Sequence, residues 1–485
     1  AVGWTTHRGD ARRSGFSLAG ILEQPKIAWI AESKCRSSGL STSKTVLLEA
    51  ELAPAPPVIA GGTVLIGRAD GAVDALALVD GRRKWRAWTG GRIYGSPTVW
   101  RERAFVGSAD GMLYALALDD GRELWRLRVA PKAGRAILFE QLASRWPVLA
   151  SPLVVDGRIY VTAGLLDAVD GVYAVCADVN GKILWERGDW SPAGVDGMLS
   201  GAGQLCWDDG PVYHGGEAPL VRLSAEDGAC RAAVAQGYMK ALTSWDVRRW
   251  KTIQAFHHTY KAAKGQEVGA LGPGWLVYGG RRLFTDQAES GTWRNSLHLL
   301  CPDEQGRGRL PVLHAEEESA RMPAWDERDV LLPVQSRRPR FTGLILVRQS
   351  DLRDAARARM PDANTAQILA QNGKYAQGQS IPPDQLRRAL PVASDMPSRW
   401  RVPFPYGWSP VACVLTSDAA LVALRHHREV ARLIAYNRAD GQKRWEITLP
   451  ANPCHNGLAV AAAGSVVATL TDGRAVCVAG TKKTP

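Results

Sequence analysis

The chain has 485 residues, 46% of them hydrophobic and 22% charged, with a formal net charge of +12. That balance describes a globular protein with a sizeable core and excludes a disordered or collagen-like chain. No apolar run reaches the ~20 residues that a membrane-crossing helix needs. The cations are scattered, with no stripe interleaved with aromatic residues, so nucleic acid is not an expected partner. An acidic surface or an anionic glycan suits the charge.

In chain order, the first readable element is residues 25–32, a strand that carries Trp29. A repeat follows. Gly67-Arg-Ala-Asp-Gly-Ala-Val-Asp-Ala-Leu-Ala-Leu-Val-Asp-Gly-Arg-Arg-Lys-Trp85 aligns without a gap on residues 107–125, ending in Trp125. Each copy reads as strand, Asp-Gly turn, strand, Asp-Gly turn, strand. Asp-Gly between alternating apolar runs is a hairpin cue, because Gly accepts positive φ and Asp bonds its own turn. The unit recurs with drift before Trp185, again at 220–228 with Ala232 in the Trp position, and before Trp445. It ends at Thr471-Asp-Gly473 and residues 474–478. Between 269 and 347 strands remain readable while the repeat is eroded.

Four short strands in roughly 40 residues are one propeller blade. The expected fold is therefore all-β, an eight-bladed β-propeller forming a single domain over 1–485. The blades are expected at 55–88, 93–130, 147–188, 199–235, 269–314, 317–350 with 398–404, 407–449, and 457–480 with 25–33. In the last, Trp29 supplies the strand that the C-terminal repeat lacks, closing the ring and removing two sheet edges. Trp29, Trp85, Trp125, Trp185 and Trp445 are expected to pack between neighbouring blades. Residues 350–397, rich in Ala, Leu, Arg and Gln, read as a helical insertion, and 238–264 as a second insertion of helical character.

The repeat Ala-Asp-Gly-x-x-x-Ala-Leu-x-x-x-x-Gly-x-x-x-Trp resembles the pyrroloquinoline-quinone-type propeller repeat. Bacterial quinoprotein alcohol dehydrogenases and the outer-membrane assembly lipoprotein propeller share that repeat. The Trp4-Thr-Thr-His-Arg-Gly-Asp lead, residues 144–160 and the last two repeats look most like exported propeller proteins of Planctomycetes. The resemblance covers 1–235 and 400–480; it is specific for fold and weak for function. In the dehydrogenases of that family it implies an adjacent Cys pair and Glu, Asn and Asp ligands for Ca²⁺ beside the quinone. This chain has no adjacent Cys pair, and no such ligand set falls on matching positions.

No cofactor, metal or catalytic residue is therefore expected. Cys35, Cys176, Cys206, Cys230, Cys301, Cys413, Cys454 and Cys477 form no Cys-x-x-Cys motif, and the even count fits either disulfides or buried thiols. The neighbours in His257-His258 and His426-His427 would point to opposite faces of a strand, so neither pair chelates by itself. A start at Ala1 without a visible leader fits an exported protein, periplasmic or extracellular. Segments just before several inner strands place Tyr94, Arg145, Trp146, Tyr406, Trp408, His455 and Asn456 at one mouth of the channel. Such a ring suits a peptide tip, a sugar or a partner's loop. The function this supports is a non-catalytic interaction scaffold, a subunit of a larger assembly. The competing classes are a quinone-dependent oxidoreductase and a binder of anionic glycan.

Overall fold

A computed structural model of the chain describes residues 3–32, 53–138, 141–165, 170–188, 398–426 and 430–481. Between 204 and 351 it describes 204–207, 210–214, 221–234, 260–261, 276–279, 297–302, 308–313, 318–320, 323–336 and 341–351. The described strands form eight sheets of three to five strands and one separate two-stranded hairpin. The fold is an all-β propeller architecture whose blades are antiparallel sheets.

The 58–88 sheet is representative: Val58–Ala60, Thr63–Gly67, Ala72–Ala77 and Arg83–Trp88 pair in sequence order. Its second strand is buried at every position and its fourth buries only Trp85, so the sheet runs from an enclosed edge to a solvent-facing one. The inner strand is accordingly almost wholly apolar, while the outer one carries Arg83, Lys84 and Arg86 around its buried Trp85. At each Asp-Gly turn the carboxylate accepts a backbone N–H two residues on, from Ala72 to Asp70 and from Met112 to Asp110 at 3.1 and 3.0 Å. The same architecture repeats over 98–128 and 153–187, and in the 204–234 sheet, which Tyr260–Lys261 extends as a fifth strand. Those two residues are strand, where the sequence pattern implied helical character for 238–264. The rest of that segment, and the expected helical insertion 350–397 apart from its edges, lie outside the described residues.

Strand Glu23–Ala31 joins the C-terminal strands as the order 23–31, 475–481, 466–470, 453–460. Trp29 stands opposite Cys477 and Ile30 opposite Val476. One sheet is thus assembled from both ends of the described chain.

A single contact recurs between sheets. The indole N–H of Trp85 donates to the carbonyl of Leu118 in the next sheet at 2.9 Å. Trp29 bonds Leu78 in the same way, Trp125 bonds Val179, and Trp185 bonds Ala225. Each ring also lies on the turn glycine of that neighbour: a Cβ on Gly121 would sit 2.4 Å from the Trp85 ring, and one on Gly81 2.6 Å from Trp29. Gly121 has φ +76°, so a turn that needs the left-handed region and an indole stacked on it both call for glycine. Trp400, which the repeat did not single out, makes the equivalent bond to Arg438 at 2.9 Å and covers Gly441. Trp445 bonds Leu22, the residue before strand Glu23–Ala31, at 3.1 Å.

Trp85→Ala removes a nearly buried indole and its hydrogen bond, and the turn at Gly121 cannot collapse to fill the space. The expected loss is about 3–5 kcal/mol. Trp88→Ala, at a position 58% exposed three residues along the same strand, should cost within about 0.5 kcal/mol. Denaturant midpoints of the two variants check the contrast.

Candidate functional site

Of the seven residues expected at the channel mouth, Tyr94, Arg145, Trp146 and Tyr406 lie on connections that enter first strands, while Trp408 opens strand Trp408–Thr416 and His455 and Asn456 lie within strand Pro453–Val460. Tyr94 is half-buried beneath the guanidinium of Arg92, 4.8 Å from its ring centre, and burial pushes its phenol pKa up. Arg145 makes a two-pronged ion pair with Asp170. Trp146 is buried, donates to the Asp170 carbonyl at 2.7 Å and meets Tyr173 edge-on. Arg145 and Trp146 touch, with the guanidinium 5.6 Å from the ring centre. Trp408 is buried between the His426 ring at 5.1 Å and the Arg432 guanidinium at 4.4 Å. Tyr406, two residues earlier, is 99% exposed. His455 and Asn456 are half-buried, and Asn456 has φ +54°. The residues thus form separate clusters, each tied to its own sheet. Trp146 and Trp408 are packing residues, and Arg145 and Tyr406 reach solvent.

What occupies the middle is the segment Gly3–Ser17. Its backbone and side chains bond, in turn, the first strands of seven sheets or the residues just before them. Ile59 N–H donates to Trp4, and Val99 N–H to Thr5, at 2.8 and 2.7 Å. The Thr6 and Thr98 hydroxyls lie 2.8 Å apart, and His7 Nδ1 lies 3.1 Å from Ser96 Oγ. Trp207 N–H donates to Ala11, Trp325 to Ser14 and Leu415 to Gly15. Phe16 and Ser17 then run parallel to Leu415 and Thr416 as an added inner strand.

Two arginines complete the set. Arg8 donates to the carbonyls of Arg13 and Pro323 and, at 3.1 Å, to Asn456 Oδ1. Arg13 donates to Leu205, Pro152 and His7 carbonyls and to the Thr6 hydroxyl. Both are 3% exposed. Asp10 is the nearby carboxylate; it braces the turn by accepting from the Ser14 N–H at 3.0 Å. Burial draws the Arg13 pKa down to about 10 and lowers that of Arg8, with Asp10 opposing both shifts. His7 is held well below its usual range, first by burial and then by Arg13 and Arg8. The centre therefore carries two buried cations satisfied by neutral oxygens beside a neutral imidazole.

Among the described residues no group of three or more His, Cys, Asp or Glu is arranged to hold a metal. Cys176, Cys206, Cys413, Cys454 and Cys477 are free thiols, and all of these but Cys206 are buried. Burial pushes the thiols of Cys176, Cys454 and Cys477 up to about 12 and that of Cys413 to about 11, which makes them poor nucleophiles. No described helix is long and apolar enough to cross a membrane.

The family model of outer membrane protein assembly factor BamB matches residues 26–144. No curated protein matches the sequence significantly. Among solved structures, quinohemoprotein alcohol dehydrogenase from Comamonas testosteroni is 12% identical with a TM-score of 0.52, covering 100% of this chain and 82% of its own. A europium-containing methanol dehydrogenase is 11% identical with a TM-score of 0.50, covering 98% of each chain. BamB from Moraxella catarrhalis is 12% identical with a TM-score of 0.46 over 90% of this chain and 95% of that one. The chain has the β-propeller fold of these structures, and the family repeat matches its residues 26–144. A calcium-bound quinone needs a carboxylate and amide donor set, and among the described residues the centre, lined by Arg8 and Arg13, does not fit one.

The His7 environment predicts a pH dependence. Its folded pKa lies below the unfolded value of roughly 6.5, so below that pH the unfolded chain takes up a proton that the folded chain refuses. Stability is then fully present above pH ~6.5 and falls as the pH drops toward the folded pKa, by about 1.4 kcal/mol per pH unit for this group. His7→Asn should lack that increment, so wild-type and variant denaturation midpoints should converge between pH 7 and pH 5.

Proposed function

We propose that this chain is a non-catalytic, exported interaction propeller of eight blades that serves as a subunit of a larger assembly. The observation that carries this reading is the filled centre. Residues 3–17 take the space that first strands surround, and their cations are already bonded to protein oxygens. A substrate or quinone entering there would have to displace Arg8 and Arg13 from buried hydrogen bonds, and an orphaned buried charge costs several kcal/mol. Ligands are left the outer faces and loops, where a propeller binds other proteins.

The eighth blade in this reading is the mixed sheet of 23–31 with 453–481, and its pairing closes the ring. The indoles of Trp29, Trp85, Trp125, Trp185 and Trp445 lock adjacent blades together. The loops and first strands bearing Tyr94, Arg145, Trp146, Tyr406, Trp408, His455 and Asn456 make up the partner-binding face, with Arg145 and Tyr406 as its exposed members. Likeness of the 4–15 lead to exported propellers of Planctomycetes supports a periplasmic or extracellular location.

Incubation with pyrroloquinoline quinone and Ca²⁺, followed by desalting, tests the non-catalytic assignment. The expected outcome is no retained quinone absorbance and no dye reduction with primary alcohols. Stoichiometric quinone with alcohol-dependent turnover would overturn it.

A further inference from the structure

The hairpin Arg135–Leu138 with Gln141–Ser144 belongs to none of the larger sheets. It rises from the connection between the 98–128 and 153–187 sheets, beside Arg145 and Trp146. Its base is fixed. Ser144 N–H donates to Ala109 at 2.7 Å, Arg145 N–H to Gly134 at 3.0 Å, and Ala143 and Ser144 are buried.

Register assigns its two faces. Ala136 pairs with Ala143, Ile137 with Leu142 and Arg135 with Ser144. Because side chains alternate, Arg135, Ile137 and Leu142 share a face. Ile137 is 78% exposed and Leu142 58%. A cross-strand aliphatic pair normally stabilises a sheet by being covered, and a lone two-stranded hairpin is marginal in water. Here it displays its aliphatic pair instead. Each strand also has an outer edge that no described strand occupies.

The charge around the pair selects what covers it. Among the described residues of 131–145 the charged side chains are Lys132, Arg135 and Arg145. Arg145 is neutralised by Asp170, whereas Lys132 and Arg135 are exposed. A second copy of the chain seated on this face would bring like charges together, which opposes self-association.

We propose that this hairpin is a docking strand for an extended, acidic, aliphatic segment of a partner protein. The segment adds along a free edge, lays alternate aliphatic side chains on Ile137 and Leu142, and sets carboxylates against Arg135 and Lys132. This rests on the scaffold reading and names the partner's chemistry.

The probe is a fluorescent eight-residue peptide alternating glutamate with valine, titrated against the full chain by anisotropy; its lysine counterpart is the control. The glutamate peptide should bind at least tenfold more tightly than the lysine peptide, and more weakly as salt rises. Ile137→Ser with Leu142→Ser should weaken binding tenfold or more, while Val79→Ser, at another exposed position, leaves it unchanged. Arg135→Glu should lower the preference for the glutamate peptide at least tenfold. Unchanged tryptophan fluorescence verifies that the variants are folded. Equal binding of both peptides, or no loss in the serine pair, would refute the proposal. So would a wild-type dimer that the serine pair dissolves, since the occupant would then be a second copy. Such a failure leaves the scaffold reading intact, because only quinone uptake with turnover removes that.

Discussion

The packing of one indole on the next sheet's turn glycine is the constraint from which the rest of this architecture follows. A four-stranded antiparallel sheet has two faces and cannot bury both alone. The Trp85 ring spans to its neighbour, donates to Leu118 and covers Gly121. The neighbour's own Trp125 repeats the gesture onto Gly181. Gly-x-x-x-Trp is therefore not one local motif but two halves of successive contacts. The glycine receives the indole from the preceding sheet and the tryptophan serves the following one. That reciprocity explains why both residues recur together, since either alone would leave a void or a clash.

The centre obeys a different physics. Between sheets the apolar contacts centre on an indole and its directed hydrogen bond; along residues 3–17 the contacts are polar and most involve backbone. First strands that face a common axis leave N–H and carbonyl groups without partners, and such groups must be satisfied when buried. The segment supplies those partners, strand by strand, and its arginines reach carbonyls too far away for backbone. Elsewhere the molecule buries an arginine conventionally: Arg438 bonds Asp326 and Asp329 at 2.6 and 2.8 Å. Arg8 and Arg13 have no such bonded carboxylate pair. Neutral acceptors compensate their charge less, so burial prevails and lowers their pKa, whereas the two carboxylates outweigh it and raise that of Arg438.

How much of this was legible in sequence depended on range. The short repeat, with Asp-Gly turns and an alternating outer strand, encodes local structure and could be read directly. Pairing of Trp29 with the C-terminal strands could be inferred by counting strands, because the last repeat stopped one short. Trp400 was not singled out, although 398–404 was assigned to the same blade as 317–350, because Met396 stands where the Gly-x-x-x-Trp motif has its glycine. The role of Thr6, His7, Arg8 and Arg13 was invisible for a deeper reason: their partners, from Ser96 to Asn456, come from across the whole chain, and isolated polar residues carry no periodicity. Of the mouth residues, Tyr94, Arg145, Trp146 and Tyr406 lie on loops that enter first strands, whereas Trp408, His455 and Asn456 lie in the strands themselves. Their convergence could not be read, because Trp146 and Trp408 turn back into their own sheets.

A filled axis changes where specificity has to reside. In an open channel, recognition can be built from residues converging on one cavity, and every blade contributes to it. Once Gly3–Ser17 has consumed those positions, the blades can differ from one another only at their loops and outer edges. Away from the outer-strand tryptophans and their turn glycines, substitutions there leave both the indole contacts and the axial hydrogen bonds untouched. The frame can then tolerate an inserted hairpin at 135–144, anchored through Ser144 and Trp146, without cost to the neighbouring sheets. Rigidity at the centre and variation at the rim are thus two consequences of the same buried segment.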